Sequence, residues 1–158
     1  MQKGFTVIEL MITITILGIL VALALPAILA PKKAANESSA ISSLRTLTAA
    51  NVIYKSRYGT YAPSLAELEK RGLLNPQLAA ADGPDGKSGY QFVYTGGATT
   101  WSAQADPQSP GASGDRHFFV NETGVIRSNG SAPASATDGP IGEVPTEVAA
   151  DADPVPAV

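Results

Sequence analysis

The chain has 158 residues, a net charge of -3, one His and no Cys. That length holds one ordinary domain beside an apolar segment. No basic stripe is present to follow a nucleic acid, and without Cys there is no disulfide framework, thiolate metal site or thiol nucleophile.

The first 30 residues carry much of the hydrophobicity. From Phe5 to Ala30 the run is apolar and uncharged apart from Glu9. At about 1.5 Å per residue it is long enough to cross a bilayer as a helix. A carboxylate there costs roughly 2.5–3.5 kcal/mol at the membrane centre and less toward the edge. Three readings compete. A secretory signal peptide uses Lys3 as its basic start and Ala22-Leu23-Ala24 as small residues, but the run continues beyond them. A plain membrane anchor accounts for the length and leaves Glu9 as an accident.

The third reading rests on Gly4-Phe5-Thr6-Val7-Ile8-Glu9-Leu10, which resembles the cleavage and methylation signature of type IV prepilins and type II secretion pseudopilins. The resemblance implies a leader of residues 1–4, cut between Gly4 and Phe5 by a prepilin peptidase that methylates Phe5. It implies an assembly role for Phe5 and Glu9, with the carboxylate meeting a neighbour's N-terminal ammonium. Gly18 and Pro26 also match the family, as places where the helix of residues 5–31 opens on assembly; by physics alone they are tolerated breakers in a membrane helix. The leader is expected in the cytoplasm and everything after Ala30 outside, although Lys32 and Lys33 weaken the charge argument.

After Pro31 the helix is expected to resume. Ile41, Leu44, Leu47, Asn51, Tyr54 and Tyr58 fall at helical spacing and make residues 32–58 the amphipathic half of a spine, thinned by Thr48 and Asn51. Residues 59–127 read as the head. Tyr58-Gly59-Thr60-Tyr61-Ala62-Pro63 breaks the spine, Ser64-Leu65-Ala66-Glu67 is a capping box, and Gly72 stops the short helix. Asp82-Gly83-Pro84-Asp85-Gly86 is a loop. Strands are expected at Tyr90–Thr95, at Thr99–Ala105 after Gly96-Gly97, at His117–Val120, and at Gly124–Arg127. The fold class is therefore α+β: a long helical spine packed on a small antiparallel sheet, pilin-like. Residues 128–158, rich in Ala, Pro, Ser and acids, read as a disordered tail.

No enzyme constellation appears. His117 lies in a strand pattern with no paired nucleophile, so it reads as a satisfied sheet residue. Asp82 and Asp85 are weak calcium candidates without EF-hand spacing, the reading being a solvated turn. Asn36-Glu37-Ser38 and Asn121-Glu122-Thr123 match the glycosylation sequon, a pattern common by chance. No cofactor is expected. The resemblance implies a filament subunit with copies of itself, minor pilins, the peptidase, an inner-membrane platform with its ATPase, an outer-membrane secretin and membrane lipid as partners. A type IV pilus subunit is the first reading, a type II secretion pseudopilin the alternative, and a secreted or anchored binding module the rival from another class. The expected location is a single pass of the bacterial inner membrane, then a periplasmic or extracellular filament.

Overall fold

The computed structural model describes residues 4–142, without the side chains of 23–27. One helix, α1 (Val7–Tyr58), runs for 52 residues, about 80 Å at 1.5 Å per residue. Thr6 caps its start in an extended conformation, and Gly59 ends it with φ 78 while donating to the Lys55 carbonyl. The break expected near Pro31 is absent. Pro26 and Pro31 each lack one N–H, yet the helix continues through both, because single missing bonds are tolerated in a long run of intact ones.

The two halves of α1 differ in what covers them. Up to Val21 its apolar side chains stand exposed on every side, whereas Ala40, Leu44, Leu47, Ala50, Asn51 and Tyr54 are buried under the head. Ile41 packs only at the margin and Tyr58 stays 44% exposed, so the buried stripe is narrower than the sequence reading drew it. A helix α2 (Leu65–Lys70) follows, with Ser64 accepting from the Glu67 N–H as its cap. An unexpected α3 (Pro76–Ala79) starts from Asn75, whose side chain accepts from the Leu78 N–H.

Four strands, β1 (Tyr90–Gly96), β2 (Trp101–Pro107), β3 (His117–Asn121) and β4 (Arg127–Asn129), form an antiparallel sheet in chain order. Strict alternation turns Tyr90, Phe92 and Tyr94 of β1 and Trp101, Ala103 and Ala105 of β2 onto α1, joined by Phe118 and Val120. The fourth strand lies later than expected. Asn121 to Gly124 form a turn in which Gly124 has φ 74 and donates to the Asn121 carbonyl, and pairing resumes only at Arg127 opposite Phe119.

The boundary of the expected tail also moves. Residues 128–142 fold back over the sheet: Ser128 N–H donates to the Gly139 carbonyl, Ile141 N–H to the Ile126 carbonyl, and Ala134 is fully buried. A polar hub replaces the missing hydrophobicity. Asp138 accepts from Asn129 at 2.8 Å and from the Ser135 backbone and hydroxyl at 2.7 and 2.8 Å. The rest of the expected tail, 143–158, lies outside the described residues.

Candidate functional site

The helix N-terminus is built by three residues. Thr6 Oγ1 accepts from the Glu9 N–H at 3.3 Å, and the Thr6 carbonyl receives the first helical bond from Leu10. This seats Glu9 in the first turn, where a negative charge suits the helix dipole. Phe5 is 76% exposed and Glu9 is exposed, with no side-chain bond or ion pair among the described residues. Among the described residues nothing answers this charge.

Around it the surface is apolar on all sides. The two threonines beyond Glu9 are satisfied internally: Thr13 Oγ1 donates to the Glu9 or Leu10 carbonyl at 3.0 or 2.8 Å, and Thr15 Oγ1 to the Met11 carbonyl at 2.7 Å. Such back-bonding removes their cost in lipid. Gly18 has open space where a Cβ would stand, so no packing within the subunit requires glycine there. Pro26 lies in the helix, its side chain outside the description. Among the described residues no helix is long and apolar enough to cross a membrane. The sequence itself is uncharged from Leu10 to Pro31. Gly4 is described in open space; Lys3 and the rest of the leader lie outside the described residues.

Where α1 enters the head, a polar latch fixes it. Glu37 accepts from the Asp115 N–H at 3.0 Å and pairs with Arg116 through Nε at 2.9 and Nη2 at 2.8 Å. Lys33 pairs with Asp115 at 3.1 Å, the Asn36 amide donates to the Ser113 carbonyl at 2.8 Å, and Lys87 donates to Ser43 at 2.7 Å. Exposed pairs such as Lys33–Asp115 contribute at most about 1 kcal/mol; Glu37, nearly buried with three donors, carries the most. The loop can approach because Gly114 lies against the Tyr90 ring, whose hydroxyl donates to the Arg116 carbonyl at 2.8 Å. These partners are 77 to 79 residues apart for Asn36 and Glu37, so no local pattern announces them. Asn36 is thus a structural donor here.

At the other end Asn51, read as a weak point of the stripe, is fully buried and bonded on both atoms. Its amide donates to the Leu47 carbonyl at 3.1 Å, and its oxygen accepts from the Ala62 N–H at 3.4 Å. The Tyr94 hydroxyl stands 2.9 Å from that oxygen and 2.8 Å from the Ala62 carbonyl. Burial pushes the Tyr94 phenol up to about 12, the Asn51 bond pulling the other way.

The remaining sequence candidates have structural occupations. Asp82 Oδ1 accepts from the Tyr94 N–H at 3.1 Å and seals the edge of β1. The Asp85 carbonyl accepts from the Gln108 amide at 2.9 Å. Among the described residues no group of three or more His, Asp or Glu converges as metal ligands do. His117 Nδ1 lies 2.6 Å from Asp106 Oδ1 across β2 and β3, a satisfied sheet histidine. Asn121 caps its own turn, accepting from Thr123.

Residues 1–25 match the prokaryotic N-terminal methylation motif. The chain is 33% identical over 132 residues to the type II secretion system core protein G of Klebsiella pneumoniae, covering 81% of this chain and 90% of that protein. It is 30% identical over 121 residues to the protein of the same name from Dickeya chrysanthemi, covering 75% of each. The Escherichia coli K12 protein of that name matches at 35% over 82 residues, half of this chain and 56% of the other. Similarity at that coverage, on a long helix with a small antiparallel head, places the chain in a family: it belongs to the pilin-like type II secretion core protein G proteins, the pseudopilins.

Proposed function

We propose that this chain is a structural, non-catalytic subunit of a type II secretion pseudopilus. In this reading it is cut between Gly4 and Phe5 and methylated on Phe5. Its N-terminal helix holds it in the bacterial inner membrane, head outside the cytoplasm, until it is packed helix against helix into a periplasmic filament. The observation that carries the reading is the division of α1 into a bare apolar half and a half buried under the head. Relatives named for type II secretion favour a pseudopilus over a type IV pilus, the reverse of the order drawn from sequence alone.

Assembly then depends on Glu9. Cleavage leaves an ammonium on Phe5, and methylation keeps its charge. An ammonium and a carboxylate about 4 Å apart attract by roughly 4 kcal/mol at an effective dielectric near 20, before desolvation is subtracted. Apolar surface alone gives helices in lipid little reason to associate, so such a pair would select partner and register. Gly18, at a cost of about 1 kcal/mol against Ala, and Pro26 supply places where the bare helix can open during packing. The partners this implies are further copies, minor subunits, the peptidase, the membrane platform with its ATPase, and the secretin.

Two measurements test this together. Intact mass of the native protein should give an N-terminus at methylated Phe5; retention of Met1 would refute processing. Glu9→Leu and Glu9→Gln should be inserted and cleaved normally yet enter sheared filaments poorly relative to the mature membrane pool. Normal filament yield from Glu9→Leu at equal cleavage would refute the assembly role.

A further inference from the structure

The far tip of the head is rich in cations, whereas the sequence beyond Gly142 is acidic. At the far end of α1, Lys55, Arg57, Lys70 and Arg71 gather around Tyr58 and Tyr61, four of the 11 cations in the chain. Lys55 Nζ lies 4.2 Å from the Tyr61 ring centroid, and the Arg71 guanidinium 4.8 Å from that of Tyr58. Arg71 also pairs with Glu67 at 2.7 Å, while Arg57 and Lys70 are exposed and form no ion pair among the described residues. Cations favour a helix C-terminus, yet four of them exceed Glu67 and Glu69 and leave this tip basic, with Tyr58 half exposed and Tyr61 buried.

The chain leaves the described head at the opposite end. Ile141 lines a cleft beside Ala34, Glu37, Ile41 and Arg45 of α1. From that level to Arg57 is about 25 Å along the helix. The segment beyond Gly142, residues 143–158, holds Glu143, Glu147, Asp151 and Asp153 with no Lys or Arg.

We propose that segment 143–158 of one copy docks on the basic, aromatic tip of the next copy along the filament. The proposal rests on the filament-subunit reading above. An acidic segment and a basic tip are two different patches of one chain, and their pairing between copies makes a heterologous contact, which repeats in one direction without closing. A segment of this length reaches at most about 50 Å fully extended, so it can span from one head to the next. Exposed charges give such a contact direction and salt sensitivity.

A chain without Cys allows a clean test. Full-length protein carrying Thr60→Cys at the exposed tip and Ala150→Cys in the segment is assembled in its native host, sheared, oxidised and run without reductant. The expected result is a ladder of covalent multimers, about tenfold above either single variant because docking raises the local thiol concentration. Arg57→Glu with Lys70→Glu should abolish the ladder, and adding Asp151→Lys with Asp153→Lys should restore it. Filaments are counted by electron microscopy in the same samples. Filaments without a ladder, a disulfide closed within one chain, or a ladder indifferent to charge reversal each overturn the inference and leave the subunit reading standing. Absence of filaments from unmodified protein overturns that reading, and the inference with it.

Discussion

Asn51→Ala tests whether the head is held on the spine by a polar bolt as well as by apolar packing. The substitution removes the oxygen that accepts from Tyr94 at 2.9 Å and from the Ala62 N–H at 3.4 Å, and the amide that donates to Leu47. The Tyr94 hydroxyl keeps the Ala62 carbonyl at 2.8 Å, so it is not orphaned. The Ala62 N–H, whose residue is fully buried, is left without a partner. An unsatisfied buried donor costs about 1–3 kcal/mol and a lost neutral bond about 1 kcal/mol, which together give a loss of roughly 2–4 kcal/mol. For a domain of roughly 100 residues this lowers Tm by about 10–30 °C. Tyr94→Phe should cost about 1 kcal/mol, and the double variant should fall short of additivity by about that amount, since the two share one bond. Thermal unfolding of full-length protein in detergent, followed by near-ultraviolet circular dichroism, measures all three. A drop below about 3 °C for Asn51→Ala, or strict additivity, would refute the bolt.

Further outcomes follow from the head. A chain ending at Gly142 should unfold at the wild-type temperature, whereas one ending at Ile126 loses β4 and the buried Ala134 and should unfold well below it; equal stability of the two would refute an integral role for residues 127–142. Asp138 is held below its ordinary value, first by the Ser135 hydroxyl. Its contribution is therefore full above about 4, the ordinary carboxyl value, and lost as pH falls below that toward the lowered folded value, so Asp138→Ala at pH 7 and acid in the wild type should both speed proteolysis between Gly130 and Gly142. Burial holds the Tyr94 proton up to about 12, against about 10 in an unfolded chain. Stability should thus be full below pH 10 and fall between about pH 10 and 12, less steeply in Tyr94→Phe by up to about 1.4 kcal/mol per pH unit.

Local pattern and distant pairing divide what was legible. The helix period, the Ser64–Glu67 cap and the alternation of Tyr90, Phe92 and Tyr94 are short-range signals, and each element lies where they put it. The fourth strand lies later than expected because the apolar pair Val125 and Ile126, which suggested a strand, belongs to the connection after the Asn121–Gly124 turn, and ladder pairing starts only at Arg127. Residues 128–142 escaped notice because Ala134 is too small to signal a core and Asp138 organises the segment through hydrogen bonds, which composition does not express. The Glu37–Arg116 latch joins residues 79 apart and leaves no periodic trace. Glu9 was legible for the opposite reason: a charge in an apolar run stands out with no knowledge of the fold. The N-terminal signature is shared by pili and pseudopili, so it could not choose between them; similarity extending through the head favours the pseudopilus.

The head also constrains how copies can meet. A four-stranded sheet has two edges, and exposed edges invite strand pairing between molecules. Here both are occupied. Along β1 the Phe92 N–H donates to the Ala81 carbonyl at 3.2 Å and the Tyr94 N–H to Asp82 at 3.1 Å. Along β4 the Ser128 N–H donates to the Gly139 carbonyl at 3.1 Å, with Ile141 bonded to Ile126 beside it. With strand addition blocked on both sides, the large uncovered apolar surface is the first half of α1. That surface is nearly featureless, because Thr13 and Thr15 have turned their hydroxyls inward. A featureless surface supplies area without register. In residues 4–22 the one charged side chain is Glu9, fixed in the first turn by the Thr6 cap and unanswered among the described residues. On the proposed reading, register therefore has to come from the residue that costs the lone subunit most in lipid, and the capping threonine matters because it holds that carboxylate in the first turn, where a neighbour's Phe5 ammonium would meet it.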